Sequence, residues 1–382
     1  MISLKQAELV LLAAPEQDCV ILSSAPGTGK SSIGARAAAI MGAQYWPVYA
    51  ATYEAVDARG LPYVYDSNSH KNVGWAAPAC LPLALDAEKY DGRTVLVNLD
   101  DLFQAPPPVQ RAFVRCIYGD GQVRHIGDFP LYEHLRFIGT GNREQDRAGV
   151  YRPETYVNDR ITYVEVEPDV DEWVAGAIAG FPHGEPDQSY AQLRSKINQA
   201  VGLGIPDSLV AYVKWSKQCY SFSTEQRSFL SPRSLERLGR FMRAFEAAGV
   251  NGAMLAEVAT GTIGEAEAVK FMAFHKLREE LPDTDAILRG EDVRLPAKTE
   301  VLYILVTAVV RAARAQHVAA LAKLLKRLAE VQTDNGGHVG VEVSAYLLGE
   351  CLHGSCSKEV YAIRNQPDVI KWLSKNFQYF KD

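Results

Sequence analysis

The sequence has few cysteines, and they are too scattered for the disulfide framework of a secreted domain. Only six occur in 382 residues: Cys19, Cys80, Cys116, Cys219, Cys351 and Cys356. Reduced thiols in a cytoplasm are the simplest interpretation. The segment Cys351-Leu-His353-Gly-Ser-Cys356 has part of a zinc-site pattern, but no paired Cys or His cluster supplies the remaining ligands. We therefore expect structural or incidental cysteines and no zinc.

Long apolar runs are also absent. The first residues, Met1-Ile-Ser-Leu-Lys-Gln-Ala-Glu, lack the apolar core of a signal peptide. The most apolar run, residues 301–310, is followed by Arg311 and Arg314 and is too short to cross a hydrocarbon core. It predicts a buried helix, and the chain as a whole is expected to be cytoplasmic with no membrane span.

Positive charge is not in excess. The net charge is −6, which does not favour a protein built mainly to coat nucleic acid, although a local basic patch remains compatible with it. Hydrophobic residues make up 47% of the chain and charged residues 23%, as in ordinary globular proteins. The length is sufficient for two or three domains, each with its own core.

Strand and helix patterns alternate up to about residue 167. Short apolar strands are predicted at 19–23, 45–51, 94–99, 135–139 and 161–166, with helices between them. This alternation predicts an α/β core with a mostly parallel five-stranded sheet covered on both faces. Beyond it the pattern is helical, with a long Ala/Leu segment at 299–331 and a turn at Asp334-Asn-Gly-Gly337. The predicted domains are a core at 1–167, a helical lid at 168–265 and a helical C-terminal region at 266–382.

A glycine-rich turn directly follows the first predicted strand. It reads Ser24-Ala25-Pro26-Gly27-Thr28-Gly29-Lys30-Ser31, with Ser32 next in an Ala-rich helix. A triphosphate needs backbone N–H donors, a cation and a metal ligand at one point, and a strand, turn and helix in this order supply them. We expect the phosphates to be held by Ala25, Pro26, Gly27, Thr28, Gly29, Lys30, Ser31 and Ser32. Lys30 would reach the β- and γ-phosphates and Ser31 would bind Mg²⁺. The usual first glycine is replaced by Ser24.

Two carboxylates end another buried strand, Val95-Leu-Val-Asn-Leu-Asp100-Asp101. In isolation such a pair is usually a solvated turn. Downstream of a phosphate loop, Asp100 is expected to hold Mg²⁺ and Asp101 to polarise the attacking water. Asp101 is shorter than the glutamate usual in this role.

These motifs occur in the order found in one family. Leu99-Asp-Asp-Leu-Phe-Gln-Ala-Pro-Pro-Pro-Val-Gln110-Arg and Phe137-Ile-Gly-Thr-Gly-Asn142-Arg-Glu-Gln-Asp146-Arg follow the phosphate loop. Together they resemble AAA+ ATPases of the MoxR group, in particular CbbQ/NorQ-type and phage-encoded MoxR-like proteins. The resemblance covers roughly residues 18–245 and implies an AAA+ core, ATP and Mg²⁺ as cofactors, and a cytoplasmic location in a bacterial or phage-infected cell.

The resemblance also implies roles for three further residues. Asn142 resembles sensor 1, which positions the lytic water. Arg160, in Asn158-Asp-Arg-Ile161, resembles an arginine finger acting on the neighbouring subunit's nucleotide, and Arg147 and Arg152 compete for that role. Arg233, in Leu230-Ser-Pro-Arg-Ser-Leu235, resembles sensor 2 at the start of a lid helix.

Taken one at a time, these residues have ordinary alternatives. Asn142 would cap a turn with Gly141. Arg160 would be a surface charge, and Arg233 would pair with a local carboxylate such as Glu236.

A finger acting in trans implies a ring of identical subunits, hexameric by resemblance. MoxR-like proteins resemble chaperone-like remodellers that work with a separate protein carrying a von Willebrand A domain, so a protein client is the leading expectation. The alternative is a nucleic-acid or GTP-using motor, and a nucleotide-gated adaptor remains a third possibility. The loop does not select ATP over GTP.

Two segments are candidates for client contact. The segment after the second strand, residues 54–82, resembles a loop facing the ring pore, where Tyr63, Tyr65 and Trp75 either grip a partner or pack internally. A hairpin predicted at 119–131 resembles the group's pre-sensor hairpin, in which Arg124 and His125 either touch a substrate or lie at a solvated edge.

Overall fold

The structure is a computed structural model that describes residues 1–67, 70–117, 123–146, 149–222, 226–331, 339–354 and 357–376. Contacts divide the chain into two compact units: Met1–Gly204 with Tyr220–Ala268, and Ile205–Cys219 with Val269–Asp382. The segment predicted as a lid is thus shared between the units, and the three predicted domains stay a prediction. The turn predicted at 334–337, Cys356, Arg147 and residues 119–122 of the predicted hairpin lie outside the described residues.

The chain forms strands and helices in the following order. The strands are β1 Cys19–Ser24, β2 Gln44–Tyr49, β3 Leu61–Ser67, β4 His70–Ala76, β5 Val95–Asp100, β6 His125–Ile126, β7 Phe129–Pro130, β8 Leu135–Asn142 and β9 Ile161–Glu165. The α-helices are α1 Leu4–Ala13, α2 Lys30–Met41, α3 Ala55–Arg59, α4 Pro107–Ile117, α5 Thr155–Asn158, α6 Val170–Ile178, α7 Tyr190–Gly202, α8 Asp207–Ser216, α9 Pro232–Ala248, α10 Gly252–Ile263, α11 Glu265–Lys276, α12 Thr284–Leu288, α13 Thr299–Ala312, α14 Val318–Ala329, α15 Val339–His353, α16 Ser357–Val360 and α17 Pro367–Asn376. Short 3-10 helices occur at Ala50–Thr52, Ala84–Tyr90, Leu102–Gln104, Glu144–Asp146, Leu277–Glu280, Ala315–His317 and Tyr361–Asn365.

The first unit is built on a five-stranded sheet in the order β2-β5-β8-β1-β9, and every pairing is parallel. This confirms the predicted α/β fold, and all five predicted strands are present. The sheet is covered on both faces, as its continuous apolar strands require. Ile21 and Val97 belong to a buried cluster that includes Phe113 of α4. On the other face a Cβ at Gly34 of α2 would meet Ile138, so that helix lies directly on the strands.

The described residues also form two hairpins outside this sheet. The first, β3–β4, was not predicted from the sequence, which indicated only a loop there. The second, β6–β7, lies within the predicted hairpin and turns at Gly127-Asp128. Gly127 has a φ of 57°, which a glycine adopts without strain.

The second unit is helical. Residues 301–310 form most of α13 and are largely buried, as predicted. The prediction of one continuous segment at 299–331 was wrong, because Arg314 is extended (φ −133°, ψ 174°) and separates α13 from α14. The break carries no Pro or Gly, and the Ala/Leu stripe continues on both sides of it, so periodicity alone did not reveal it. Within the described ranges, no helix is both long and apolar enough to span a bilayer.

Candidate functional site

The glycine-rich turn joins the carboxyl end of β1 to the first residue of α2. Gly27 has a φ of 78° and Gly29 a φ of 97°, so the turn uses two backbone conformations that glycine adopts freely. Ser24 is the last residue of β1, outside the positive-φ region, so serine fits there without strain. Its hydroxyl bonds to Thr28 Oγ1 and accepts from Lys30 Nζ at 2.8 Å. Serine in place of glycine therefore adds bonds inside the loop.

Lys30 lies at the centre of this arrangement. Its Nζ donates to the carbonyl oxygens of Ser24 at 3.2 Å and Ala25 at 2.9 Å, and to Asn142 Oδ1 at 3.2 Å. Burial lowers the pKa of Lys30, and the nearby Asp101 and Asp100 oppose that shift. Lys30 is a buried ammonium group that contacts the ends of β1 and β8, and such a group is a strong anion ligand once phosphates replace its carbonyl partners.

The two predicted metal ligands are in contact. Ser31 Oγ donates to Asp100 Oδ1 at 2.9 Å, joining the start of α2 to the end of β5. Thr140 Oγ1, on the adjacent strand β8, donates to the same carboxylate oxygen. A hydroxyl and a carboxylate are hard oxygen donors of the kind Mg²⁺ prefers, with its remaining ligands from phosphates and water. The residues present therefore fit Mg²⁺.

Asp101 adopts a left-handed conformation with a φ of 52°, which is uncommon for a non-glycine residue but best tolerated by Asp and Asn. Its backbone N–H donates to Thr140 Oγ1 at 3.3 Å, and Gln104 Nε2 donates to its Oδ1 at 2.9 Å. Burial and then Asp100 raise the pKa of Asp101, while Lys30 and Gln104 oppose the rise. The left-handed backbone thus directs the Asp101 side chain into a partly buried position beside Asp100, where the ionised form is disfavoured. Functional groups are often held in such strained and electrostatically unfavourable positions.

Asn142 ends β8 beside Lys30, and the chain continues into an ion pair. Arg143 Nε lies 3.2 Å from Asp146 Oδ2, and Arg143 Nη1 lies 3.9 Å from Glu167 Oε1. The hydrogen bond from Arg143 lowers the pKa of Asp146.

The contacts described so far bring together five of the predicted site residues at one edge of the sheet. They are Lys30, Ser31, Asp100, Asp101 and Asn142.

Arg160 and Arg233 lie elsewhere. Arg160 precedes β9 and so lies at the amino-terminal edge of the sheet, opposite the glycine-rich turn. Its Nη1 donates to the Tyr156 carbonyl at 2.8 Å. Arg233, at the start of α9, forms an ion pair with Asp159, the residue next to Arg160. The finger and sensor 2 roles stay predictions, and so does the competing candidate Arg152, which is exposed.

Sequence reasoning missed three polar side chains of this region. Thr140 and Gln104 hold the carboxylate pair, as described above. Arg227 Nη1 donates to Ser23 Oγ at 3.4 Å, next to the loop, and its guanidinium group lies over the Tyr163 ring at 5.6 Å. A polar residue in an apolar strand was the available signal for Thr140, whereas nothing local marked Arg227.

The candidate contact segments differ in exposure. Tyr63 and Tyr65 on β3 are 52% and 45% exposed, which contradicts internal packing for these two rings, whereas Trp75 is half-buried under Arg59. Arg124 donates to the Leu135 carbonyl at 3.0 Å and lies over the Phe137 ring. These contacts show that its side chain packs inward, and the resulting burial lowers its pKa.

No cluster of three or more His, Cys, Asp or Glu side chains able to hold a metal occurs among the described residues. Cys351 is buried, and Cys356, the other cysteine of the segment considered above, is outside those residues. The fit to Mg²⁺ depends on Ser31 and Asp100 with a bound triphosphate.

Comparison with known proteins finds similar solved structures but no matching family. No protein-family model matches the chain, and no curated protein matches it. Among solved structures, the chain is similar to a proposed ATPase from Cytophaga hutchinsonii at 14% identity, with a TM-score of 0.41, over 76% of this chain and 89% of that one. At this identity and score, no activity is inferred from the similarity.

Proposed function

We propose that this chain is an ATPase of the AAA+ type, similar to the MoxR group. The observation that carries the proposal is the convergence of Lys30, Ser31, Asp100, Asp101 and Asn142 on the end of the glycine-rich turn. These residues come from the ends of two neighbouring parallel strands, β5 and β8, and from the helix α2 after the turn. A ligand-binding crevice is expected at this edge of an open α/β sheet.

Each residue has a defined task in phosphoryl transfer to water. The turn and Lys30 bind the β- and γ-phosphates, and Ser31 and Asp100 hold Mg²⁺. When bound, Mg²⁺ neutralises charge that develops on the phosphate oxygens. Asp101 accepts a hydrogen bond from the attacking water, and the Asn142 amide fixes that water's position. The raised pKa of Asp101 makes it a better proton acceptor than an ordinary aspartate, provided that it is ionised.

The arginine that completes the site comes from another subunit. Arg160 is separated from its own phosphate loop by the length of β9, roughly 16 Å for five residues at about 3.3 Å each. Its side chain is too short to cross that distance. Hydrolysis therefore requires assembly, and head-to-tail assembly of identical subunits forms a ring when the rotation between neighbours closes. We propose a hexamer on the family resemblance.

The ring remodels a protein partner in a cytoplasm, and a separate protein with a von Willebrand A domain is the proposed companion. The exposed Tyr63 and Tyr65 of the β3–β4 hairpin support a protein client, because aromatic rings are favoured at protein interfaces. A motor acting on nucleic acid would instead show DNA- or RNA-stimulated turnover that falls steeply with salt.

The test is turnover of ATP and GTP by the purified chain with Mg²⁺, together with its mass in solution. Lys30→Ala should abolish nucleotide binding, and Arg160→Ala should keep binding but lose turnover. Normal turnover by Arg160→Ala would reject the finger assignment. Absence of nucleotide binding by the unmodified chain would reject the ATPase proposal as a whole.

A further inference from the structure

The second unit contains a cavity that the proposed nucleotide site does not use. It is lined by residues of α8, α13 and α15 and has a volume of about 290 Å³. This volume is close to the lower end of the roughly 300–1,000 Å³ that is typical of ligand pockets, and the space between packed helices is a common place for them. A cavity of this size suits a ligand with only a short carbon chain.

One wall of the cavity is apolar. It consists of Ile205, which lies just before α8, Val210 of α8 and Val310 of α13. Val310 is buried, whereas Ile205 and Val210 are half-buried. Contact with these side chains favours the aliphatic part of a ligand, because it removes apolar surface from water.

Helix α15 contributes a polar wall. Tyr346 and Glu350 are four residues apart, so both lie on the same face of the helix. Thr307 donates its hydroxyl proton to the Tyr303 carbonyl at 2.8 Å, so Tyr346 is the donor in the 2.8 Å contact between the Tyr346 and Thr307 hydroxyls. The Tyr346 oxygen therefore keeps acceptor sites for an N–H group. Burial raises the pKa of Tyr346 to about 12, so its hydroxyl is protonated at neutral pH.

Glu350 gives the cavity a negative charge. Its side chain is half-buried, and none of the described residues forms a hydrogen bond or an ion pair with its carboxylate. The carboxylate is close enough to Tyr346 to contribute to the raised pKa of that hydroxyl. A carboxylate that is partly removed from water is stabilised by a cation beside it. An ammonium group in this position would donate both to the carboxylate and to the tyrosine oxygen, and such charge-assisted hydrogen bonds are strong.

The two basic side chains nearest to this wall have other partners. Arg311, which also lines the cavity, donates from Nη1 to Asp207 Oδ1 at 2.6 Å and to the Ile205 carbonyl at 2.7 Å. Lys214 Nζ lies over the Tyr346 ring, 5.1 Å from its centroid. Neither side chain forms an ion pair with the Glu350 carboxylate, so a ligand would supply the missing positive charge.

We propose that this cavity binds a small primary amine, whose ammonium group contacts Glu350 and Tyr346. Its carbon chain lies against Ile205, Val210 and Val310. The nucleotide site uses Lys30 to hold an anion, whereas this second site uses a carboxylate to hold a cation. The same ammonium group is carried by free amines and by the lysine side chains of proteins, and the volume of the cavity favours a free amine.

The test is a calorimetric titration of the full chain with n-butylammonium chloride at constant ionic strength. n-Butanol and sodium butyrate serve as neutral and anionic probes of similar size, and n-butylammonium should bind more tightly than either. Glu350→Gln keeps the shape of the side chain and removes its charge, so it should weaken n-butylammonium binding by roughly 10-fold or more, because hydrogen bonds to charged groups are stronger than neutral ones.

Two further variants separate the site from general effects. Val210→Phe should also weaken binding, because the larger side chain fills part of the cavity. Glu330→Gln is the matched control, since it removes the same charge from an exposed position of the same unit and should leave binding unchanged. Melting temperatures measured on every variant show whether a loss of binding reflects a loss of folding, and Val210→Phe tests the site if Glu350→Gln does not fold.

Three results would overturn the proposal: no binding of n-butylammonium to the unmodified chain, equal or tighter binding of n-butanol or butyrate, or equal weakening by Glu350→Gln and Glu330→Gln. Each leaves the ATPase proposal intact, because nucleotide binding is measured separately. Nα-acetyl-lysine N-methylamide carries the same ammonium group on a peptide unit. Weaker binding of this probe than of n-butylammonium would support a free amine, and tighter binding would overturn a free amine in favour of a lysine side chain of a partner protein.

Discussion

Lys30 Nζ lies 3.2 Å from Asn142 Oδ1, which joins the start of α2 to the end of β8 across 112 positions of sequence. The contact places the Asn142 amide beside the lysine that is proposed to bind the γ-phosphate. Asn142→Ala should lower turnover by about 10²- to 10³-fold, since it removes a preorganised group that acts on the transition state. Nucleotide affinity, measured by fluorescence titration, should change little. Asn198→Ala, an amide outside the site, is the control, and unchanged turnover in Asn142→Ala would reject the sensor 1 assignment.

Thr140 should act through Asp100. Its hydroxyl donates to the Asp100 carboxylate and accepts from the Asp101 N–H, so it orients the metal ligand without touching the nucleotide. Thr140→Val should raise the Mg²⁺ concentration needed for half-maximal turnover, and Thr140→Ser should restore it. If valine and serine gave the same Mg²⁺ titration, Thr140 would only be packing in β8.

Asp101→Asn should abolish turnover and raise the melting temperature. Folding raises the pKa of Asp101 above the ordinary 3.8, so the fold favours the protonated carboxyl group. The stability that this group contributes is therefore fully present below pH 3.8 and is lost as the pH rises through the folded-state pKa. At pH 7 the ionised group therefore destabilises the fold. Asparagine removes the charge and tolerates the positive φ, so the melting temperature should rise by roughly 1–3 °C while turnover is lost.

Asp146→Asn is the matched control for that experiment. The pKa of Asp146 is lowered by its hydrogen bond from Arg143, so its charge stabilises the fold above the ordinary pKa. Removing this charge should not raise the melting temperature at pH 7. An increase in both variants would show a general effect of reduced negative charge and not a property of Asp101. Turnover of the unmodified chain should fall on acidification through the raised pKa of Asp101.

Arg233 should affect the site through Arg160. Its ion pair with Asp159 holds the residue next to the proposed finger, and Arg237 Nη1 also donates to the Asp159 carbonyl at 2.8 Å. If Arg160 acts in trans, a mixture of Lys30→Ala chains, which donate Arg160, and Arg160→Ala chains, which accept it, should regain turnover. Arg233→Ala should lower this regained turnover when placed on the donating chain, and Arg233→Lys should partly restore it. A loss seen only when the substitution is on the accepting chain would instead support the sensor 2 role within one subunit.

Gly261 lies where α10 packs on the sheet. A Cβ there would come within 1.6 Å of the Tyr163 carbonyl oxygen on β9, so helix and strand backbones must separate if any side chain is added. Gly261→Ala should cost about 3 kcal/mol and lower the melting temperature by roughly 6–10 °C. Gly252→Ala, where an added Cβ meets nothing within 4 Å, is the control on the same helix. Equal melting temperatures for the two variants would contradict the close packing.

Sequence alone determined the strands of the sheet, the position of the glycine-rich turn and the pair Asp100 and Asp101 at a strand end. These are local signals, because strand periodicity, glycine-rich turns and polar residues at strand ends are each recognised from a short stretch of sequence. Tertiary structure decided which distant groups meet: Thr140 with Asp100, Arg233 with Asp159, and Lys30 with Asn142. Such contacts depend on strand order and helix packing, which no local pattern encodes. For the same reason only the fold showed that α6 leaves its apolar side chains exposed and that Arg160 lies at the edge of the sheet opposite the glycine-rich turn.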